Sequence, residues 1–240
     1  MPNLHGKTIL VTGAARRVGR IFALACAKAG ADVIIHHAHS EEDAEQVKGE
    51  IEALGRKAHI LASDFGTPDS VSRLIVQAND FSPLYALVNS AAIFETLSFQ
   101  DTSLDDWNRH MDINLTAPFL LSQAFAKRTK EGRIVNILDW RALRPGADHF
   151  PYTVSKAALA AMTKSLAVAL APNITVNGLA LGAILPPAGD PSAGGKVIEA
   201  VPAKRWSEAK EVEDALIFLL TGPAYITGEI IHLDGGRHLV

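Results

Sequence analysis

The chain has 240 residues, 48% of them hydrophobic and 20% charged, with a formal net charge of −3; this fits a globular protein and argues against the basic field of a nucleic-acid binder. Its one cysteine, Cys26, excludes an intrachain disulfide framework and reads as a buried, inert thiol. The first apolar run is too short for a secretory signal and nowhere do 18 apolar residues run together, so a cytoplasmic chain with no membrane span is expected.

In chain order, KTILVT (7–12) reads as a strand and 19–29 as a helix, then ADVIIH (31–36) as a strand and 40–54 as a helix. KAHILAS (57–63), helix 68–79, LYALVNS (84–90) and a long helix over about 103–127 continue the alternation. GRIVNIL (132–138), helix 152–171, ITVNGLA (174–180), helix 209–221 and EIIHLD (229–234) complete it. Asp69, Asp105 and Glu211 lie near helix starts, where a carboxylate complements the dipole, and Gly30 and Gly55 lie where helices should stop. Nearly continuous apolar strands separated by helices predict an α/β fold: a Rossmann-type, doubly wound sheet of about seven mostly parallel strands with helices on both faces. Residues 1–240 are expected to form one domain. The irregular stretch LPPAGDPSAGGK (185–196), within a 185–200 loop region, is either a plain connection or a lid over substrate.

The stretch VTGAARRVGR follows the first strand and opens the first helix, the context that a dinucleotide-binding loop requires. Gly13 permits the tight turn, Gly19 permits close approach, and the helix N-terminus offers free N–H groups to a pyrophosphate. Arg16 and Arg17 are either a solvated surface pair or a guanidinium partner for an additional phosphate. The second strand ends His36-His37-Ala38-His39-Ser40 without an acidic residue; basic and hydroxyl groups there suit a 2′-phosphate and favour NADPH over NADH. Adjacent strand histidines point to opposite faces, so no metal site is expected.

Further along stands Tyr152-Thr-Val-Ser-Lys156. Positions four apart share a helix face, so the phenol and the ammonium can meet one site, and a nearby ammonium is expected to lower the phenol pKa. Alone, the pair is common; behind a nucleotide loop it points to proton transfer.

TGAARRVG, Asp64 after the third strand, NSAA after the fourth, Asn114, YTVSK and the C-terminal YITGEIIHLDGG together resemble the short-chain dehydrogenase/reductases over nearly the whole chain. The resemblance implies that Tyr152 donates the proton, that Lys156 holds the nicotinamide ribose, and that Asn114 supports a proton-relay water. It also implies that Val18, Asp64, Phe65, Asn89, Ala91, Gly182 and Ile184 line the cofactor along with the glycine loop, His36, His39 and Ser40. The family is usually tetrameric, and the Ala-rich helix 155–171 either packs against another copy or is ordinary core.

Three departures are similar to the pteridine reductases: Arg17 at the loop's usual second glycine, Asp139 at the usual catalytic serine, and Phe94 just after NSAA. That resemblance implies that Arg17 reaches phosphate and pterin edge, that Phe94 stacks on the pterin, and that Asp139 helps Tyr152 protonate a ring nitrogen. Read without it, Asp139 caps a turn or pairs with Arg141 or Arg144, and Phe94 is a core or loop residue. The expectation is an NADPH-dependent reductase of a small dihydropterin-like, or dihydrofolate, C=N bond. The alternatives are a carbonyl or 3-oxoacyl reductase and a non-catalytic NADPH-binding sensor.

Overall fold

A computed structural model describes residues 3–186 and 194–240. Seven strands form one sheet: β1 (Thr8–Val11), β2 (Asp32–His37), β3 (Ala58–Ala62), β4 (Leu84–Asn89), β5 (Gly132–Asp139), β6 (Ile174–Leu181) and β7 (Ile230–Leu233). Their order is β3-β2-β1-β4-β5-β6-β7 and every pairing is parallel. The chain winds outward from β1 in one direction, then crosses back to β4 and winds in the other. That reversal opens a crevice beyond the carboxyl ends of β1 and β4, the place where such sheets take ligands.

The pleat explains the two-sided burial. Ile9, Val11, Val33 and Ile35 pack with α1 (Arg17–Lys28), α2 (Glu41–Ala53) and α8 (Ala209–Thr221) on one face. The alternate residues Leu10, Ile34 and Leu87 pack with α3 (Pro68–Phe81) and α5 (Ala117–Ala126) on the other. Phe22 and Phe125, each fully buried, anchor opposite faces; each contributes roughly 3 kcal/mol by leaving water. Cys26 is buried among the first set, and burial pushes its thiol up to about 12, as an inert thiol requires.

The long helix expected over 103–127 is three pieces. α4 (Leu104–Met111) starts on a capping box between Ser103 and Asp106, a π-helical turn spans Asp112–Thr116, and α5 follows with Pro118 in its first turn. The proline has no N–H to give an unbroken helix, and the wide turn sits where it would be missed. α6 (Phe150–Leu170) begins before the expected residue 152 and carries proline at its start. By length and composition α6 is apolar enough to cross a bilayer; here it lies against β5 and β6 and buries Tyr152, Ser155, Lys156 and Thr163. A short helix, α7 (Gly194–Glu199), occupies the end of the stretch read as irregular. Residues 187–193 of the expected lid lie outside the described residues.

Candidate active site

At the crevice, the Thr12 hydroxyl is buried and accepts N–H groups from Ser90 at 2.9 Å and Ala91 at 3.0 Å. It thereby ties the end of β1 to the end of β4. Gly13 has φ 64°, and a Cβ there would stand 2.9 Å from the Ala91 Cα. A Cβ on Gly19 would stand 2.0 Å from the Gly13 carbonyl oxygen, so both positions demand glycine. α1 has no acidic residue in its first turn and no side chain capping it, so its N–H groups stay available to an anion. These features fit a dinucleotide pyrophosphate.

Arg17 is the first residue of α1 and has φ 49°, a conformation that costs a non-glycine residue about 1–2 kcal/mol. Its guanidinium donates to the Pro186 carbonyl at 3.0 Å, joining the glycine loop to the segment after β6. Among the described residues no hydrogen bond or ring contact joins Arg17 to Phe94, Asp139 or Tyr152. Arg16 is exposed and pairs with Asp43 at 2.5 Å. Val18 is half-buried against the core beside the loop.

The tip of β2 corrects one expectation. His36 is 2% exposed and accepts the Gly13 N–H at Nδ1 at 3.1 Å. Its Nε2 lies 2.9 Å from the Ser63 carbonyl, and its ring stacks on Phe65 at 4.2 Å. Burial, the largest influence, pulls its pKa down to about 4. It is therefore a neutral brace for the Gly13 turn, with Nε2 as donor, and brings no charge to a phosphate. Phe65 is likewise engaged by its ring. His39 is exposed and stands 3.7 Å from Asp64, whose other oxygen accepts the Gly66 N–H at 2.9 Å. Ser40 starts α2 without spending its hydroxyl as a cap. At this tip His39 is exposed and Ser40 half-buried.

Across the crevice the catalytic candidates converge. The Tyr152 hydroxyl donates to Asp139 Oδ2 at 3.3 Å, and Lys156 donates to the Ile137 carbonyl at 2.8 Å. Burial raises the Tyr152 pKa well above its usual value, and the Asp139 charge and hydrogen bond push it further; Arg141 opposes them. The expected lowering by Lys156 is thus not what sets this phenol: it is held protonated. Burial also raises Asp139, against the Arg141 backbone N–H, the charges of Arg141 and Lys156, and the Tyr152 bond. Burial pulls Lys156 down to about 8, with Asp139 partly offsetting it.

Phe94 is 53% exposed, stacks on His149 at 3.9 Å, and meets Tyr152 edge-on at 4.7 Å. It offers a half-open aromatic ring beside the phenol rather than a core contact. Asn114 lies in the π turn, where its amide bonds both the Ile93 N–H (2.9 Å) and carbonyl (3.1 Å), and also Ser155 Oγ (3.1 Å). Ser155 Oγ in turn donates to the Tyr152 carbonyl at 2.7 Å. The Asn114 side chain is consumed by this bracing and anchors the start of α6 against the loop bearing Phe94. Asn89 is buried and donates to Asn136 at 2.8 Å, while its own carbonyl oxygen has no partner. Ala91 packs against the Gly13 turn, and Gly182 abuts Asp234, where a Cβ would meet the backbone at 2.6 Å. Ile184 belongs to the core, so its side chain supports the site rather than facing a ligand.

Sequence reading missed three contributors. Arg141 bonds Asp148 at 2.9 Å, stands 3.8 Å from Asp139, and keeps a buried Nε without a partner. His149, with φ 52°, stands just before α6 and backs Phe94. Thr12 locks the two strand ends. Arg141 was visible only as a possible partner of Asp139; the other two roles arise from long-range packing.

Residues 13–238 match the family described as enoyl-(acyl carrier protein) reductase. A 3-oxoacyl-[acyl-carrier-protein] reductase of Synechocystis is 34% identical, over 98% of each chain. The chain belongs to the short-chain dehydrogenase/reductase family. The 3-oxoacyl-[acyl-carrier-protein] reductase FabG of Aquifex aeolicus is 37% identical over 97% of this chain and 98% of its own. The structure also resembles FolM alternative dihydrofolate reductase 1 from Brucella canis complexed with NADP, at TM-score 0.94 and 32% identity, covering 100% of this chain and 97% of that one. A blue fluorescent protein from a metagenomic library, in complex with NADPH, matches at TM-score 0.92 and 33% identity over 98% and 99% of the two chains.

Proposed function

We propose that this short-chain reductase uses NADPH to reduce the C=N bond of a small dihydropterin-like substrate, dihydrofolate included. The observation that carries the reading is the carboxylate of Asp139 at 3.3 Å from the Tyr152 hydroxyl. When bound, NADPH supplies the hydride. Tyr152, protonated and buried, holds the proton that the ring nitrogen needs. Asp139, raised by burial, accepts the Tyr152 hydroxyl, and its charge and hydrogen bond keep the phenol protonated and oriented for that transfer. Lys156 is fixed by the Ile137 carbonyl, beside the position where a nicotinamide ribose would lie.

Gly13, Gly19 and the start of α1 would hold the pyrophosphate, with Arg17 reaching phosphate and the pterin edge. His39 and Ser40 would meet the 2′-phosphate, and Asp64 with the Phe65 backbone the adenine. The open face of Phe94 would stack on the flat heterocycle. The solved relatives named with NADP or NADPH support the cofactor, and the FolM structure supports the substrate class.

The 3-oxoacyl relatives favour a second reading, reduction of a keto thioester by the same Tyr152. Initial rates of NADPH oxidation with dihydrobiopterin and with acetoacetyl-CoA separate the two. Faster turnover of the pterin supports the first reading, turnover of the thioester alone replaces it with the second, and silence on both favours a non-catalytic binder.

We also infer a homotetramer. Val168 on α6 is 83% exposed and Phe119 on α5 is 43% exposed, apolar side chains that other copies would cover. Light scattering at micromolar concentration tests it; a monomer would contradict it.

A further inference from the structure

A chain of cations runs outward from the catalytic carboxylate. Arg141 stands 3.8 Å from Asp139 and lies 4.6 Å over the Trp140 ring. Arg237 lies 4.6 Å from the same ring, so the indole is held between two guanidinium groups. Arg237 is set in place by the Ala200 carbonyl at 3.1 Å and by a main-chain oxygen of Val240, the last residue of the sequence, at 3.3 Å. Arg144, exposed, donates to the Arg237 carbonyl at 3.4 Å.

The charge balance changes along this chain. Arg141 is met by Asp139 and Asp148. Among the described residues, no Asp or Glu side chain lies within 4.0 Å of the Arg144 or Arg237 guanidinium. Asp234, the nearby carboxylate, accepts the N–H groups of Gly236 and His238 instead. Two hollows open to solvent meet at Trp140 and Arg237. One, of about 560 Å³, is walled by Arg141, Val197, Ala200 and Val201; the other, of about 450 Å³, is walled by Arg144, Pro145 and Gly146. An apolar wall beside guanidinium groups held by main-chain oxygens and without an Asp or Glu partner among the described residues suits a flat hydrocarbon group ending in carboxylate.

Resting on the reductase reading above, we propose that this rim is a tail subsite: it binds an aryl group bearing carboxylates, attached to the heterocycle that sits at Phe94. Val197, Ala200 and Val201 cover the aryl ring, and Arg144 and Arg237 take the carboxylates. The rim distinguishes tailed, anionic substrates from untailed ones, while Asp139 and Tyr152 treat both alike.

The test uses the NADPH-loaded protein and two fragments, p-aminobenzoyl-L-glutamate and the neutral p-aminobenzamide, followed by equilibrium dialysis. The dicarboxylate is expected to bind at least about tenfold more tightly, and Arg144→Gln and Arg237→Met each to erase that advantage. In turnover, Arg144→Gln is expected to raise KM for dihydrofolate about tenfold and to leave dihydrobiopterin within twofold. Equal binding of the two fragments, or equal loss with both substrates, overturns the subsite. Charge-dependent fragment binding by a protein that reduces no pterin would retain the anion site and refute the proposed reaction. Arg144 is exposed, so its variant tests the idea even if Arg237→Met unfolds.

Discussion

Tyr152 and Asp139 form a buried pair, hydroxyl to carboxylate at 3.3 Å, in which each partner's pKa is raised by burial. The tyrosine comes from the start of α6 and the aspartate from the end of β5, so the sheet edge and one helix meet at a single proton-holding unit. The pairing keeps a protonated phenol, held by a carboxylate, at the mouth of the crevice.

Removal of the phenol tests the donor role. Tyr152→Phe is predicted to lower kcat by roughly 10²–10⁴-fold while NADPH still binds. Steady-state rates and a cofactor titration check it; unchanged turnover would place the proton source elsewhere.

His36 makes a separate prediction. Its folded pKa, about 4, lies below the usual histidine value of 6.5, so the unfolded chain binds more protons between those values. The stability that His36 contributes is present above pH 6.5 and is lost as pH falls toward about 4. Urea melts of His36→Gln should show a shallower fall over that window than wild type. The same variant should weaken NADPH and NADH alike, because the ring holds the Gly13 turn rather than a phosphate.

Lys156 is shifted in the same direction, a cation whose folded pKa is pulled down to about 8 from 10.5. Between those values the unfolded chain again holds more protons, so stability should rise with pH across that window. Lys156→Met should lack this rise in urea melts. A flat wild-type profile from pH 8 to 10 would show that the ammonium is not held in a desolvated site.

Much of this was legible in the chain, and the reasons differ by element. The strand and helix alternation is written in apolar periodicity, and all seven strands lie where that pattern puts them. Gly13, Gly19, Tyr152 and Lys156 were legible because local spacing fixes their geometry. The π turn at Asn114 was not, because a widened turn and a continuous helix share one apolar pattern. His36 was misread as a basic group at a strand tip: its neutrality comes from burial by residues distant in sequence, which outweighs the opposing Ser63 carbonyl bond. The upward pull on Tyr152 was missed for the same reason, since burial and the Asp139 carboxylate set this phenol.

Arg17 supplies a cofactor prediction. Arg17→Ala is expected to weaken NADPH more than NADH, read by fluorescence titration of both. Equal losses would assign the guanidinium to the pyrophosphate or the substrate edge and remove it from the 2′-phosphate.

The central claim is that Asp139 adapts a carbonyl-reducing framework to C=N chemistry, and the most direct measurement is the Asp139→Ser variant. Its kcat/KM is taken with dihydrobiopterin and acetoacetyl-CoA beside wild type, with NADPH saturating. The account predicts a loss of at least about tenfold for the pterin with the thioester maintained or improved, since a serine orients a carbonyl but brings no carboxylate to hold the Tyr152 proton. Pterin turnover unchanged by the substitution, or both substrates falling together, would contradict it.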